Sequence, residues 1–348
     1  MQSPTPAPPP GATLREIARL SGVSQMTVSR ALRNQPRVAE KTRRRVVAVA
    51  ERLGYRPDPE IVKLMHYVRS RKRGALQGVI CALWNWQGAT LPLYFHDLAA
   101  GAAERARESG YVFHRERITG ALGGTRWQRK LLNRGVQGVL FLPQSPPTDF
   151  TALLDWRDFS LVAASLSVLG PEMNRVAPNH GANTMRLCRE LTALGYRRIG
   201  LVVDVEQDWR TNRGFSAAAL SFGWHEARER VAPLVWQGEL AAALRPWFRR
   251  ERPDLILTTS EEKVHACAQV LGLPVPGPVG FASTNIRPEA GAPNPIAGID
   301  ETPRAIGAAA VDLLASLIVR RERGLARQPT ETLLTGRWHP GASCPPRG

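Results

Sequence analysis

The sequence predicts a multidomain chain: an all-α unit of three short helices at the N-terminus, followed by a doubly wound α/β region in two lobes. Three observations carry that expectation. At 348 residues the chain exceeds the roughly 100–200 residues usual for one domain, so two or three compact units are expected. Its charge is uneven: within a net +17, residues 1–74 hold 16 Lys/Arg against five Asp/Glu, and the rest holds 31 against 25. From residue 77 onward short apolar runs alternate with helical stretches, the pattern of a parallel sheet wrapped by helices.

Composition narrows the class. A 43% hydrophobic and 22% charged content is that of soluble globular protein, and no stretch approaches the ~18 uninterrupted apolar residues of a membrane span. Residues 1–12, within MQSPTPAPPPGAT, lack a basic start and an apolar core, so they read as a disordered Pro-rich tail and a cytoplasmic protein is expected. Cys81, Cys188, Cys267 and Cys344 are far apart, with no CxxC pair and no His at ligand spacing. They read as buried thiols, and no metal or cofactor is expected.

The basic excess at one end is what polyanion binding needs, since each neutralised phosphate releases counterions. A motif at residues 13–58 supports it. Thr13 is placed to cap a short helix whose apolar stripe is Ile17, Ala18 and Leu20, and which ends at Ser21-Gly22. Ser24 caps a second helix, Gln25 to about Arg33, with Val28, Ala31 and Leu32 inward and Gln25, Met26, Ser29 and Arg30 outward. Small Ala18 lets the two cross closely, and Gly22 supplies the positive φ of a three-residue turn. A third helix, about Ala39 to Leu53, has Glu40 in its first turn, apolar Val46, Val47, Val49, Ala50 and Leu53, and Gly54 as its stop.

The run GVSQMTVSRALRN, followed by VAEKTRRRVVAVAERLGYRPDP, resembles the headpiece of the lactose-repressor (LacI) family of bacterial regulators over Thr13 to Pro59. Looser similarity continues to about residue 340 in YFHDLAAGAAERARESGYVF, LLNRGVQGVLFLP, LTALGYRRIGLV and LPVPGPVGFAS. The resemblance implies a helix-turn-helix DNA-binding domain and a two-lobed, periplasmic-binding-protein-like sensor. It implies a dimer on double-stranded operator DNA, acting as an operon repressor under a small-molecule, carbohydrate-like effector. It puts Gln25, Met26 and Arg30 in the major groove, where Gln suits adenine, Arg suits guanine and Met offers apolar contact to a thymine methyl. Ser24, Thr27 and Ser29 would hold phosphate near the helix start, and Thr13 and Asn34 complete the expected contact set.

Residues 59–76 read as a hinge. In the resembling family a leucine of this segment wedges into a minor-groove step, and Leu64 stands there; a solvated basic linker is the alternative. Beyond it, GVICALW, YVFHRER, VQGVLFL, SLVAAS, RIGLVV, DLILTT and VGFAS read as strands. Helices are expected near Asp97 to Ser109, Arg126 to Asn133, Asn183 to Leu194, Asn212 to Ser221, Leu240 to Arg249, Lys263 to Leu271 and Arg304 to Arg323. Lobe 1 is expected at about 77–175 plus 303–329, and lobe 2 at about 176–302 plus 330–340.

Enzyme signatures are absent: no GxGxxG, GxxxxGK[ST], GxSxG or HExxH, and no nucleophile with a base beside it. No catalytic residue is expected. Sugar-responsive members of the resembling family carry an Arg before a Gly-aromatic pair and an Asn-Asp pair after a later strand. Here Thr211 takes the Arg position, between Arg210 and Arg213, and Ser260-Glu261 stand for Asn-Asp; Ala282-Ser283-Thr284 replace a further aspartate. Loss of the bidentate Arg argues against common hexoses and pentoses, and Trp84, Trp86, Arg210, Arg213, Ser260 and Glu261 are the expected lining.

Overall fold

The computed structural model of the chain describes residues 13–32, 38–53, 55, 78–87, 90–118, 125–227, 229–288 and 292–347. Two compact units separate, residues 1–76 and 77–348.

In the first unit α1 (Leu14–Ser21), α2 (Gln25–Leu32) and α3 (Glu40–Arg52) enclose Ile17, Ala18, Val28, Ala31, Val38, Val46 and Ala50. Thr13, in extended conformation, caps α1 by accepting the Glu16 N–H on Oγ1 at 3.3 Å. Gly22 ends it at φ 65°, its N–H reaching the Ala18 carbonyl, so the chain reverses before Ser24. One inward position is corrected. Leu20 stays 39% exposed, and Ser21, one turn after Ile17, is buried instead because its hydroxyl donates to the Ile17 carbonyl at 2.5 Å. The Pro-rich tail, Arg33, Asn34, Gly54 and the hinge with Leu64 lie outside the described residues.

The second unit is built on two six-stranded sheets. The first runs in the order β13 (Glu331–Leu334), β7 (Asn174–Pro178), β5 (Ser160–Ala163), β3 (Val136–Phe141), β1 (Val79–Trp84), β2 (Val112–Arg117), all parallel. The central strands β1, β3 and β5 are buried on both faces, so they read as nearly continuous apolar runs. On one face lie α4 (Leu93–Glu108) and α11 (Pro303–Arg320), around Leu98, Ala102, Ile306, Ala310 and Leu314. On the other lie α5 (Thr125–Asn133) and the pair β4 (Thr148–Asp149) and β6 (Val168–Gly170), around Phe141, Phe150, Trp156 and Phe159. The α4–α11 crossing depends on glycine: a Cβ on Gly101 would run into the Arg304 backbone, and one on Gly307 into the Leu98 carbonyl.

The second sheet runs β14 (Arg337–His339), β12 (Ala297–Asp300), β11 (Gly280–Ser283), β10 (Leu255–Thr258), β8 (Ile199–Asp204), β9 (Leu234–Trp236), with only β14 antiparallel. Here α6 (His180–Ala193) and α8 (Gly214–His225) cover one face, and α9 (Leu240–Glu251) and α10 (Glu261–Leu271) the other. The short α7 (Val205–Arg210) follows β8 directly.

Two expectations change. The lobe boundaries shift, because Asn174–Pro178 and Glu331–Leu334 pair in the first sheet and not the second. The helix expected from Asn212 begins at Gly214, after Asn212 and Arg213, both left-handed, and α7 precedes it. No helix among the described residues is long and apolar enough to cross a membrane. All four cysteines are buried, and burial pushes each thiol up to about 12.

Candidate nucleic-acid interface and ligand cleft

The first unit presents one bare polar face. Ser24 opens α2 by accepting the Thr27 N–H at 3.2 Å, and the two hydroxyls lie 2.9 Å apart. Gln25 and Arg30 point outward and make no hydrogen bond or ion pair within the described residues. Met26 is 64% exposed, a large cost for an apolar side chain that the seven-residue core does not take up. The Ser29 side chain lies outside the described residues. Behind this face α3 adds Lys41, Arg43, Arg44 and Arg45, of which Arg43 and Arg44 pair with Glu40 at 3.1 and 3.3 Å. The arrangement suits groove entry: short hydroxyls at a helix start, with longer readers one turn on.

The second unit holds a cavity of about 400 Å³, within the range of small-molecule sites. Every strand that feeds it does so from its carboxyl end, the place where open α/β sheets bind ligands. The first lobe contributes Trp86 after β1, Leu91, Pro92, Tyr94 and Phe95 at the start of α4, Pro143 after β3 and Ala164 to Ser167 after β5. The second contributes Gln207, Arg210 and Thr211 after β8, Thr259, Ser260 and Glu262 after β10, and Asn285 after β11. His180 and Glu301, on the two crossovers after β7 and β12, meet in the wall with Nδ1 and Oε1 2.9 Å apart.

One wall is mostly apolar and the other polar, and much of the polar wall is already committed. Lys263 donates to Asp204, to Gln207 Oε1 and to Thr259 Oγ1, and Thr259 donates to the same Gln207 oxygen at 2.8 Å. Gln207 therefore offers its amide N–H groups to the cavity. Burial opposes ionisation of Asp204, yet the Lys263 ammonium and the bonds it makes hold that carboxyl below its usual range. Burial, aided by Glu301, pushes the Tyr94 hydroxyl well up, so it stays a neutral donor at physiological pH. Asn285 Oδ1 is buried with no hydrogen-bond partner among the described residues.

The expected lining divides. Trp86, Arg210 and Ser260 reach the cavity, while Trp84, Arg213 and Glu261 do not. Trp84 packs edge-on against Phe95 with Arg117 over its ring, Arg213 is an exposed left-handed residue ahead of α8, and Glu261 accepts the Arg287 N–H at 2.9 Å. Arg287 in turn pairs with Asp97 of the first lobe. Thr211, at the position the resemblance gives to Arg, does line the cavity, but its hydroxyl is donated to the Gln207 and Asp208 carbonyls. Sequence reading missed Tyr94, His180, Gln207, Asn285 and Glu301, none of which sits in a local motif.

Both parts of the chain resemble known proteins. Residues 13–58 match the family of bacterial regulatory proteins, lacI family, and residues 188–344 match the periplasmic binding protein-like domain. An HTH-type transcriptional regulator of Mycobacterium tuberculosis is 26% identical over 249 residues, which span 70% of this chain and 66% of that protein. The sucrose operon repressor of Escherichia coli is 24% identical over 271 residues, 75% of this chain and 78% of that protein. Among solved structures, a transcriptional regulator CelR–cellobiose complex shares the fold with TM-score 0.55 at 19% identity, covering 95% of this chain and 99% of its own. The lac repressor dimer bound to operator and an anti-inducer does so with TM-score 0.54 at 18% identity, covering 97% and 100%. With a lacI-type DNA-binding domain at residues 13–58 ahead of a periplasmic-binding-protein-like domain at 188–344, and with regulators as its relatives, the chain is a DNA-binding transcriptional regulator.

Proposed function

We propose that the chain binds a pseudo-palindromic operator as a homodimer, represses the genes beside it, and responds to a small molecule held in the cleft. The observation that carries this is the face of α2, where Gln25, Met26 and Arg30 stand exposed with no internal work to do. Three readers at roughly 1–3 kcal/mol for each good base contact are too few to single out one site in a genome, so two copies must act together. Repression is supported by the sucrose operon repressor among the relatives, and dimeric operator binding by the lac repressor structure.

In this reading Arg30 takes a guanine edge, Gln25 an adenine and Met26 a thymine methyl. Ser24, Thr27 and Ser29 hold phosphates, with Thr13 and Asn34 beside them, and Leu64 of the 59–76 hinge enters the minor groove. The protein works on the chromosome, in the cytoplasm, by binding and not by turnover. Footprinting on genomic DNA followed by gel shift over a salt series tests it. A protected inverted repeat should appear, and log affinity should fall against log salt with a slope of several units. A salt-independent complex, or full affinity for a single half-site at 1:1, would sink the dimeric reading.

A further inference from the structure

Among the described residues, the half-buried Arg and Lys of the second unit are all partnered, with one exception. Arg175, Arg198, Lys130, Lys263 and Arg347 are all half-buried, and each has a carboxylate or carbonyl partner. Arg210 is half-buried too and lines the cavity, yet among the described residues it makes no hydrogen bond and no ion pair. A guanidinium keeps its charge at any physiological pH, and withdrawing one from water without a partner is costly. The nearby acids reach Arg210 at most through space: Asp204 feels its charge but spends its contacts on Lys263, Glu301 is tied to His180, and Glu262 is exposed.

We propose that the ligand of this cleft is a small hydroxylated carboxylic acid, of the size of a hexuronate or an aldonate, whose carboxylate is received by Arg210. This rests on the reading of the cleft as an effector site. One unpaired guanidinium matches one carboxylate, with two parallel N–H donors for two oxygens; a phosphate, with close to two charges, calls for more cations than this wall provides. The Tyr94 hydroxyl of the first lobe, kept neutral by burial, and the free Gln207 N–H groups of the second are further donors lining the cavity. The rest of the cavity asks for hydroxyls and a carbon skeleton. Ser165, Ser260 and Asn285 line it with polar groups suited to ligand hydroxyls, and Trp86, Leu91 and Phe95 offer an apolar surface for a sugar-like ring or chain. The cavity of about 400 Å³ accommodates a six-carbon acid with room for water. The residue at the position of the family's hydroxyl-clamping Arg, Thr211, has already given its hydroxyl to α7 carbonyls, so binding strength must come from the neighbouring side chain.

Calorimetry on the full-length protein tests this with D-galacturonate, D-glucuronate and D-gluconate set against D-galactose and D-glucose. At least one acid should bind about tenfold or more tightly than the neutral sugar of the same skeleton. In Arg210→Met that preference should collapse, and in Arg210→Lys part of it should return. The ligand-free melting temperature should change little in either variant, because among the described residues Arg210 has no hydrogen bond or ion pair to lose, only a through-space attraction to Asp204. A neutral sugar binding as tightly as its acid, an acid preference that survives Arg210→Met, or no acid binding at millimolar concentration would each overturn the assignment. Operator affinity measured in the same samples separates the two readings. A neutral sugar that binds and alters operator affinity removes the acid and leaves effector control, whereas an acid that binds through Arg210 and leaves operator affinity unchanged does the reverse.

Discussion

The two binding surfaces of this protein are assembled in opposite ways. The face of α2 is drawn from seven consecutive residues, Ser24 to Arg30, on one capped helix. The cleft draws on the ends of eight strands and the start of α4, between Trp86 and Glu301. A local surface inherits its geometry from helix periodicity alone, so residue spacing determines which side chains point outward. A surface made of remote segments depends on sheet order and register, which no spacing states. The local surface also rests on a much smaller core, and that asymmetry sets the first prediction.

Ile17 is fully buried in a core of seven hydrophobic residues, so Ile17→Ala should cost the first unit about 2–5 kcal/mol. Small domains rarely hold more than roughly 3–5 kcal/mol in total. Operator binding should fall by orders of magnitude in an anisotropy titration, while the thermal transition of the second unit stays where it was. Operator affinity retained within a factor of about three would show that contacts outside α1, α2 and α3 sustain that unit.

The second prediction separates reading from holding on. Arg30→Ala should weaken operator binding by roughly 1–3 kcal/mol and binding to random DNA by less. Equal losses on both would demote Arg30 to a phosphate contact and leave Gln25 as the main polar reader.

The same contrast explains what the sequence could disclose. Thr13, Gly22 and Ser24 announce caps and a turn by residue type, and the structure places each in that role. The one misplacement there, Leu20, arose because apolar character was weighed without the Ser21 hydroxyl, which can bury itself against the preceding turn. In the second unit long apolar strands such as Val79–Trp84 and Val136–Phe141 are legible because a parallel strand covered on both faces must be continuously apolar. Asn174–Pro178, Ala297–Asp300 and Glu331–Leu334 are short and carry Asn, Arg, Gly, Glu or Pro, so they read as loops. Those strands bracket the crossovers, which is why the lobe boundaries shifted and why His180 and Glu301 escaped notice. Trp84 is expected in the cleft with Trp86, since residues two apart share a strand face, but β1 ends at Trp84, which packs on Phe95, while Trp86, beyond the strand, reaches the cavity.

A third prediction probes whether Thr13 serves the helix or the DNA. Thr13→Ala removes the cap bond to the Glu16 N–H and should lower the stability of the first unit by about 1 kcal/mol. If Thr13 also touches a phosphate, operator affinity at a temperature where the unit stays folded should drop as well. Unchanged affinity beside a lowered melting temperature would confine it to capping.

The smallest expected effect lies in the wall of the cleft, at Asp204 and Lys263. Their ion pair is about three-quarters buried, at 26% exposure for each side chain, and Lys263 uses its other donors to fix the Gln207 and Thr259 oxygens. The folded-state pKa of Asp204 is depressed, so its contribution is fully present above the usual carboxylate range, near 4, and is lost as pH falls through the lowered value. The melting temperature of the second unit should therefore decline on the acid side, and Asp204→Asn should flatten that decline. At neutral pH the variant should lose about 1 kcal/mol or less, since a pair still reached by solvent contributes little. At a pH below the depressed value, where the wild-type carboxyl is also neutral, the two proteins should converge. Parallel melting curves across the whole range would mean that the pair adds nothing to stability. Its role would then reduce to orienting the Gln207 amide, and ligand affinity, unlike stability, should still fall in Asp204→Asn. The α2 face offers no counterpart to this test, because Gln25, Met26 and Arg30 have no internal partners whose titration could be followed.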